Sequence, residues 1–139
     1  MKSFAGRLAM TAGLMAMLTA TTWTQAPNKP AEKSFSGAAL FDNYCATCHG
    51  ARATGDGPLA ALLRKPPANL TLLARRNGGE FSPEMVARII DGKKPLQGHG
   101  GGDMPVWGDA FDRSSDGAEA TSAKIKALVS FLQSIQQKP

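Results

Sequence analysis

The chain has 139 residues, 42% of them apolar, a net charge of +5 and two cysteines. That length allows one domain, and the apolar fraction is enough for a modest core. A basic bias this mild does not point to nucleic acid as a partner.

Residues 1–26 do not read as part of a folded domain. Lys2 and Arg7 flank the apolar run LAMTAGLMAML, and small and polar residues follow, which is the three-part layout of a secretory signal peptide. Cleavage after Ala26 places Thr24 three positions from the cut and leaves Pro27 just beyond it. The competing reading is an uncleaved anchor, because no charged side chain occurs between Arg7 and Lys29. Threonines and Pro27 interrupt that window, which lacks the roughly 20 apolar residues of a span. Lys2 and Arg7 leave with the segment and no acidic residue does, so +5 becomes +3 in the mature chain. Export matters for the cysteines. In an oxidising compartment a lone adjacent pair must be bridged, ligated or otherwise consumed.

Residues 27–35 begin PNKPAEKS and form a polar lead-in. From residue 36 to residue 139 the chain is expected to form a single domain. In SGAALFDNYCATCH, Ser36 caps a short helix, and Leu40, Phe41 and Tyr44 recur at helical spacing. Residues 50 to 79 are rich in Gly and Pro and hold only short helical turns such as LAALLR. SPEMVARIIDG carries Ser82 at the cap, Pro83 at the first helical position, Glu84 in the first turn and Gly92 as the stop. A glycine-rich run around His99 then leads as a loop into DMPVWGDAF. In the last helix Ile125, Leu128, Val129, Leu132 and Ile135 make one apolar face. No segment alternates over any length, so the fold is expected to be all-α.

The stretch CATCHG carries the chemistry. Cys45 and Cys48, three apart on a helical turn, point their sulfurs to one side, with side-chain roots about 5–6 Å apart. Two thiols so placed can each add to one vinyl group of a haem, and His49 then lies where a ring nitrogen can bind the iron. The five-residue spacing is a c-type haem attachment signature. Two other chemistries use such cysteines. A dithiol redox site wants a strand leading into a helix, and no strand precedes Cys45. A structural zinc site needs four N or S ligands, while this chain offers Cys45, Cys48, His49 and distant His99.

The iron takes a second axial ligand unless that position is open. With the methionines of the export segment set aside, the candidates are Met104, His99 and Met85. Met85 sits in a helix among Val86, Ile89 and Ile90, which suits packing. Met104 lies in a loop and is followed by Pro105, which fixes the backbone beyond it. Thioether plus imidazole is a ligand pair of electron-carrying haem.

From about Ser36 to Gln136 the chain resembles a class I c-type cytochrome, a small monohaem carrier with His and Met ligands. Four motifs carry the resemblance: GAALFDNYCATCHG, GDGP, MPVWGDAF and IKALVSFL. It implies that Gly37 and Phe41 on the N-terminal helix cross Leu128 and Phe131 on the last one. It also implies that the Pro58 carbonyl accepts the imidazole N–H of His49, and that Met104 is the distal ligand. KKPLQGHGGGD departs from the family by its length and its glycines.

The function the resemblance implies is one-electron transfer through a partly exposed edge of one covalent haem c, without catalysis. Implied partners are an oxidase, a cytochrome bc1-type complex or a dehydrogenase in the periplasm. Membrane attachment follows only if residues 1–26 stay uncleaved. The alternative is a cytochrome subunit held by a periplasmic dehydrogenase complex; a ligand-binding or peroxidase-like haem would need the Met104 bond to be labile. Arg52, Arg64, Lys65, Arg75, Arg76, Lys93 and Lys94 are candidates for a basic rim that steers acidic partners, or are ordinary solvated charges. Trp107 either shields the haem or fills the core.

Overall fold

A computed structural model describes residues 34–94 and 103–137, with the side chains at 115 and 116 left aside. All of these belong to the compact unit Glu32–Pro139. The export segment 1–26, most of the lead-in, and His99 lie outside the described residues.

The described chain is helical and contains no strand, as the absence of alternation led us to expect. Helix α1 spans Gly37–Tyr44 and α2 Ala46–His49. Two 3-10 turns follow, Ala60–Leu62 and Leu70–Leu72, then the short α3, Leu73–Arg76. Helix α4 covers Pro83–Asp91, α5 Trp107–Phe111, and α6 Gly117–Ser134 after a π turn at Asp112–Asp116. No helix among the described residues is long and apolar enough to cross a membrane.

The expected caps form, with one exception. The Ser36 hydroxyl accepts from the Ala39 N–H at 3.3 Å, and Gly92 ends α4 in the left-handed region at φ 69°. Ser82 occupies the cap position of α4, but its side chain makes no capping bond. The sequence reading assigns no helix to the α5 segment. Five residues are too few to show a periodic signal, and this helix is held by packing: a Cβ on Gly108 would run into the Asp91 side chain of α4.

The core is built where α1 crosses α6. A Cβ on Gly37 would overlap the Ala127 carbonyl oxygen and lie 2.8 Å from the Phe131 Cβ, so the backbones meet there. Phe41 and Leu128 are fully buried beside this crossing, and the Phe41 and Phe131 rings are 5.2 Å apart. Burying side chains of this size stabilises by about 1.5–3 kcal/mol each. Val86 and Ile90 of α4 and Phe111 of α5 complete the core against Ile125, Val129 and Leu132. Lys124 shares this buried face. Its Nζ donates to the Ser114 hydroxyl at 2.9 Å and lies 5.4 Å from the Phe111 ring centre. Its aliphatic stem covers apolar surface while its head keeps polar and aromatic company.

Beyond α6 the chain grips the middle segment. Gln136 Oε1 accepts from the Ala74 N–H at 2.9 Å, and Gln136 Nε2 donates to the carbonyls of Leu70 and Leu132 at 2.8 and 2.7 Å. Gln136→Ala leaves these part-buried backbone groups unpaired, so a loss of about 1–3 kcal/mol is expected in denaturant unfolding of the holoprotein. An unchanged midpoint would show that solvent replaces the amide without cost.

Candidate haem-binding site

Helix α1 delivers the site. Its last turn passes through Cys45, whose N–H bonds to Phe41 O at 2.8 Å, into the single turn of α2 that holds Cys48 and His49. Both cysteines are free thiols, half-buried on the same turn. Burial, and next the charge of Cys48, pushes the Cys45 thiol up to about 11. Redox-active dithiols run the other way, towards a stabilised thiolate. Among the described residues, no three His, Cys, Asp or Glu side chains converge as a metal-binding group.

A tightly folded loop braces this turn from below. Gly55 N–H bonds to His49 O at 2.8 Å, Gly57 N–H to Cys48 O at 3.1 Å, and Leu59 N–H to Thr47 O at 3.0 Å. Gly57 lies so close that a Cβ would stand 2.5 Å from Thr47 O. Ala53 is buried inside the loop at φ 59°, an uncommon conformation for a residue with a side chain, and its carbonyl accepts from Leu70 N at 2.8 Å.

The loop also decides the partner of His49, and here the structure corrects the expectation. His49 Nδ1 lies 3.0 Å from the carbonyl oxygen of Ala68, not of Pro58. The backbone on either side of Pro58 is committed to Thr47 and Cys48, which leaves the proline exposed in its turn. Gly55, at φ 89° and without a Cβ, lets the Pro67 carbonyl pass over it, and the next carbonyl reaches the imidazole. A carbonyl can only accept, so Nδ1 carries the proton and Nε2 keeps its lone pair. Burial lowers the imidazole pKa against the opposing pull of the Ala68 bond, so the ring is held neutral as a metal ligand must be. No side-chain pattern announces a backbone acceptor; the signal was the rigid PPAN run.

The remaining candidates are placed as follows. Met104 lies just before α5 and is 36% exposed. Trp107, three residues on, packs edge-on to Tyr44 at 5.5 Å, and Tyr44 adjoins Cys45, so α5 stands beside the cysteine turn. Trp107 also stacks on Phe111 at 5.7 Å and packs against the core. Met85 is part-buried in α4, and its sulfur accepts from Arg88 at 3.8 Å. Of the basic residues, Arg52 pairs with Asp56 and Arg64 with Asp103, both at 3.4 Å, and Lys93 with Asp112 at 2.7 Å. Lys65, Arg75, Arg76 and Lys94 are exposed.

The donor set and its surroundings fit a haem. The large exposed apolar side chains among the described residues are Tyr44, Leu59, Leu62, Met104 and Val106. Four of these five lie on two segments, the one following the His49 loop and the one entering α5. A broad apolar group joined to Cys45 and Cys48 and ligated by His49 is of the right chemistry to cover them.

The family model for cytochrome c matches residues 35–136, well over half of the chain. No curated protein and no solved structure matches it.

Proposed function

The chain belongs to the cytochrome c family, whose members transfer electrons on a covalently bound haem, and we propose that it is a small class I carrier in the periplasm, with His49 and Met104 as axial ligands. Residues 1–26 are its signal peptide, and residues 36–139 its monohaem domain. The observation that carries this reading is His49: Nδ1 is bound to Ala68 O beside two free thiols, which leaves Nε2 as the one available donor on the ring.

When bound, the haem supplies a single iron that alternates between two oxidation states. The chain's residues do the rest. Cys45 and Cys48 fix the group to the end of α1, and the Ala68 carbonyl sets the tautomer and orientation of His49. With the haem bound, Leu59, Leu62 and Val106 would be apolar neighbours that keep water from it, and an apolar setting disfavours the extra positive charge of the oxidised form. A Met104 thioether acts in the same direction, so the carrier is relatively oxidising.

Partners are redox proteins, an oxidase, a cytochrome bc1-type complex or a dehydrogenase, met through a weak surface of less than about 1,200 Å². Lys65, Arg75, Arg76 and Lys94 are the cations that steer them, more strongly at low salt. A redox titration of the exported protein tests the reading. A reversible one-electron wave, with no rapid carbon monoxide binding by the reduced form, is expected of a carrier. Rapid carbon monoxide binding would move the protein to a ligand-binding haem, and co-elution with a larger subunit would make it part of a dehydrogenase complex.

A further inference from the structure

We propose that the Arg64–Asp103 ion pair is a clasp that keeps Met104 seated, so that loosening it admits small exogenous ligands at the distal position. The proposal rests on Met104 being the distal ligand.

Arg64 and Asp103 stand 39 residues apart in the chain, and both the Nε and an Nη of the guanidinium lie 3.4 Å from the same carboxylate oxygen. The pair joins the two segments that carry Leu59 and Leu62 on one side and Met104 and Val106 on the other. It therefore ties these two segments together, at the residue directly before Met104.

The other flank of Met104 is anchored by a different kind of contact. A Cβ on Gly92 would stand 3.2 Å from the Val106 Cα, and Gly108 sits against Asp91. Lys93 bonds to Asp112 at 2.7 Å beside them. The Gly92 and Gly108 contacts join α4 to α5 by close packing, which salt does not screen, and the Lys93–Asp112 pair adds an electrostatic contact to them. On the Asp103 side the described tether is electrostatic, with the Arg64 side chain 77% exposed and that of Asp103 only 23% exposed. With no close backbone packing described beside it, this flank is the one that ionic strength weakens more.

The consequence is a population shift. The apparent affinity for an exogenous ligand scales with the fraction of molecules in which the native thioether is displaced. An ion pair of this exposure changes that fraction by about two- to five-fold. Arg64 is thus a positioning residue: it acts on the iron through Met104 and touches neither.

Imidazole titration of the ferric holoprotein tests the clasp, read in the visible spectrum at low and high salt. Arg64→Ala and Asp103→Asn are each expected to tighten imidazole binding about two- to five-fold at low salt. The double variant gains no more than either single one, because both break the same pair. High salt brings the wild type towards the variants and moves the variants less, since the Lys93–Asp112 pair remains in all of them. Arg64→Lys, which keeps the charge without the planar fork, falls between. Without imidazole the weak red-edge band of methionine-ligated ferric haem remains in all of them. Wild-type affinity and salt response in Arg64→Ala would overturn the clasp, as would a shift confined to the denaturation midpoint. Absence of the red-edge band from the wild type itself would overturn the Met104 assignment and the clasp with it.

Discussion

Met104→Ala is expected to abolish the red-edge band of the ferric protein, leave the haem attached, and lower the reduction potential by on the order of 0.1 V or more. Axial ligands command a span of about 0.8 V in haem proteins, and exchange of a thioether for water or a stronger donor moves the potential downward. Attachment survives because it depends on Cys45 and Cys48, on a different segment from residue 104. The same variant should bind carbon monoxide and imidazole readily. Survival of the band would move the ligand elsewhere. Met85 is the weaker alternative, because its sulfur is occupied with Arg88 within α4.

Gly37→Val carries the largest expected cost in stability. The first carbon of any side chain there overlaps the Ala127 carbonyl, and Phe131 stands 2.8 Å away on the same side. A backbone carbonyl within a helix cannot swing aside, so α1 and α6 must separate. The contact between Phe41 and Phe131 and the burial of Leu128 loosen with them. A loss of about 2–4 kcal/mol is expected from overpacking of this kind, read as a lower denaturant midpoint of the holoprotein. Because α1 ends in the cysteine turn, a lower yield of matured protein should accompany it. An unchanged midpoint would mean that the two helices do not meet at Gly37.

Legibility in the sequence followed the range of the interactions. The Ser36 cap, the Pro83 start and Gly92 stop of α4, and the apolar face of α6 are local signals, and each lies where its residues put it. The crossing of Gly37 and Phe41 with Leu128 and Phe131 was readable through the family resemblance, and Gly37 makes physical sense of it, since without a side chain it lets another helix approach. Four features were not readable. Helix α5 is too short for periodicity. Lys124 was hidden by its charge, although its stem packs on the buried face of α6. The acceptor for His49 is a carbonyl, which any residue supplies, and the turn geometry of Gly55 and Gly57 selects Ala68 over Pro58. Gln136 and Arg64 reach partners 62 and 39 residues away, and a single polar residue does not announce so distant a contact.

Two sulfur bonds hold the haem on which the electron-transfer function rests, and denaturing acid extraction of the exported, matured protein tests them. The colour is expected to stay with the polypeptide, and its pyridine haemochrome to be of the type with both vinyl groups saturated. Pigment released into the organic phase, or matured protein without colour, would contradict it.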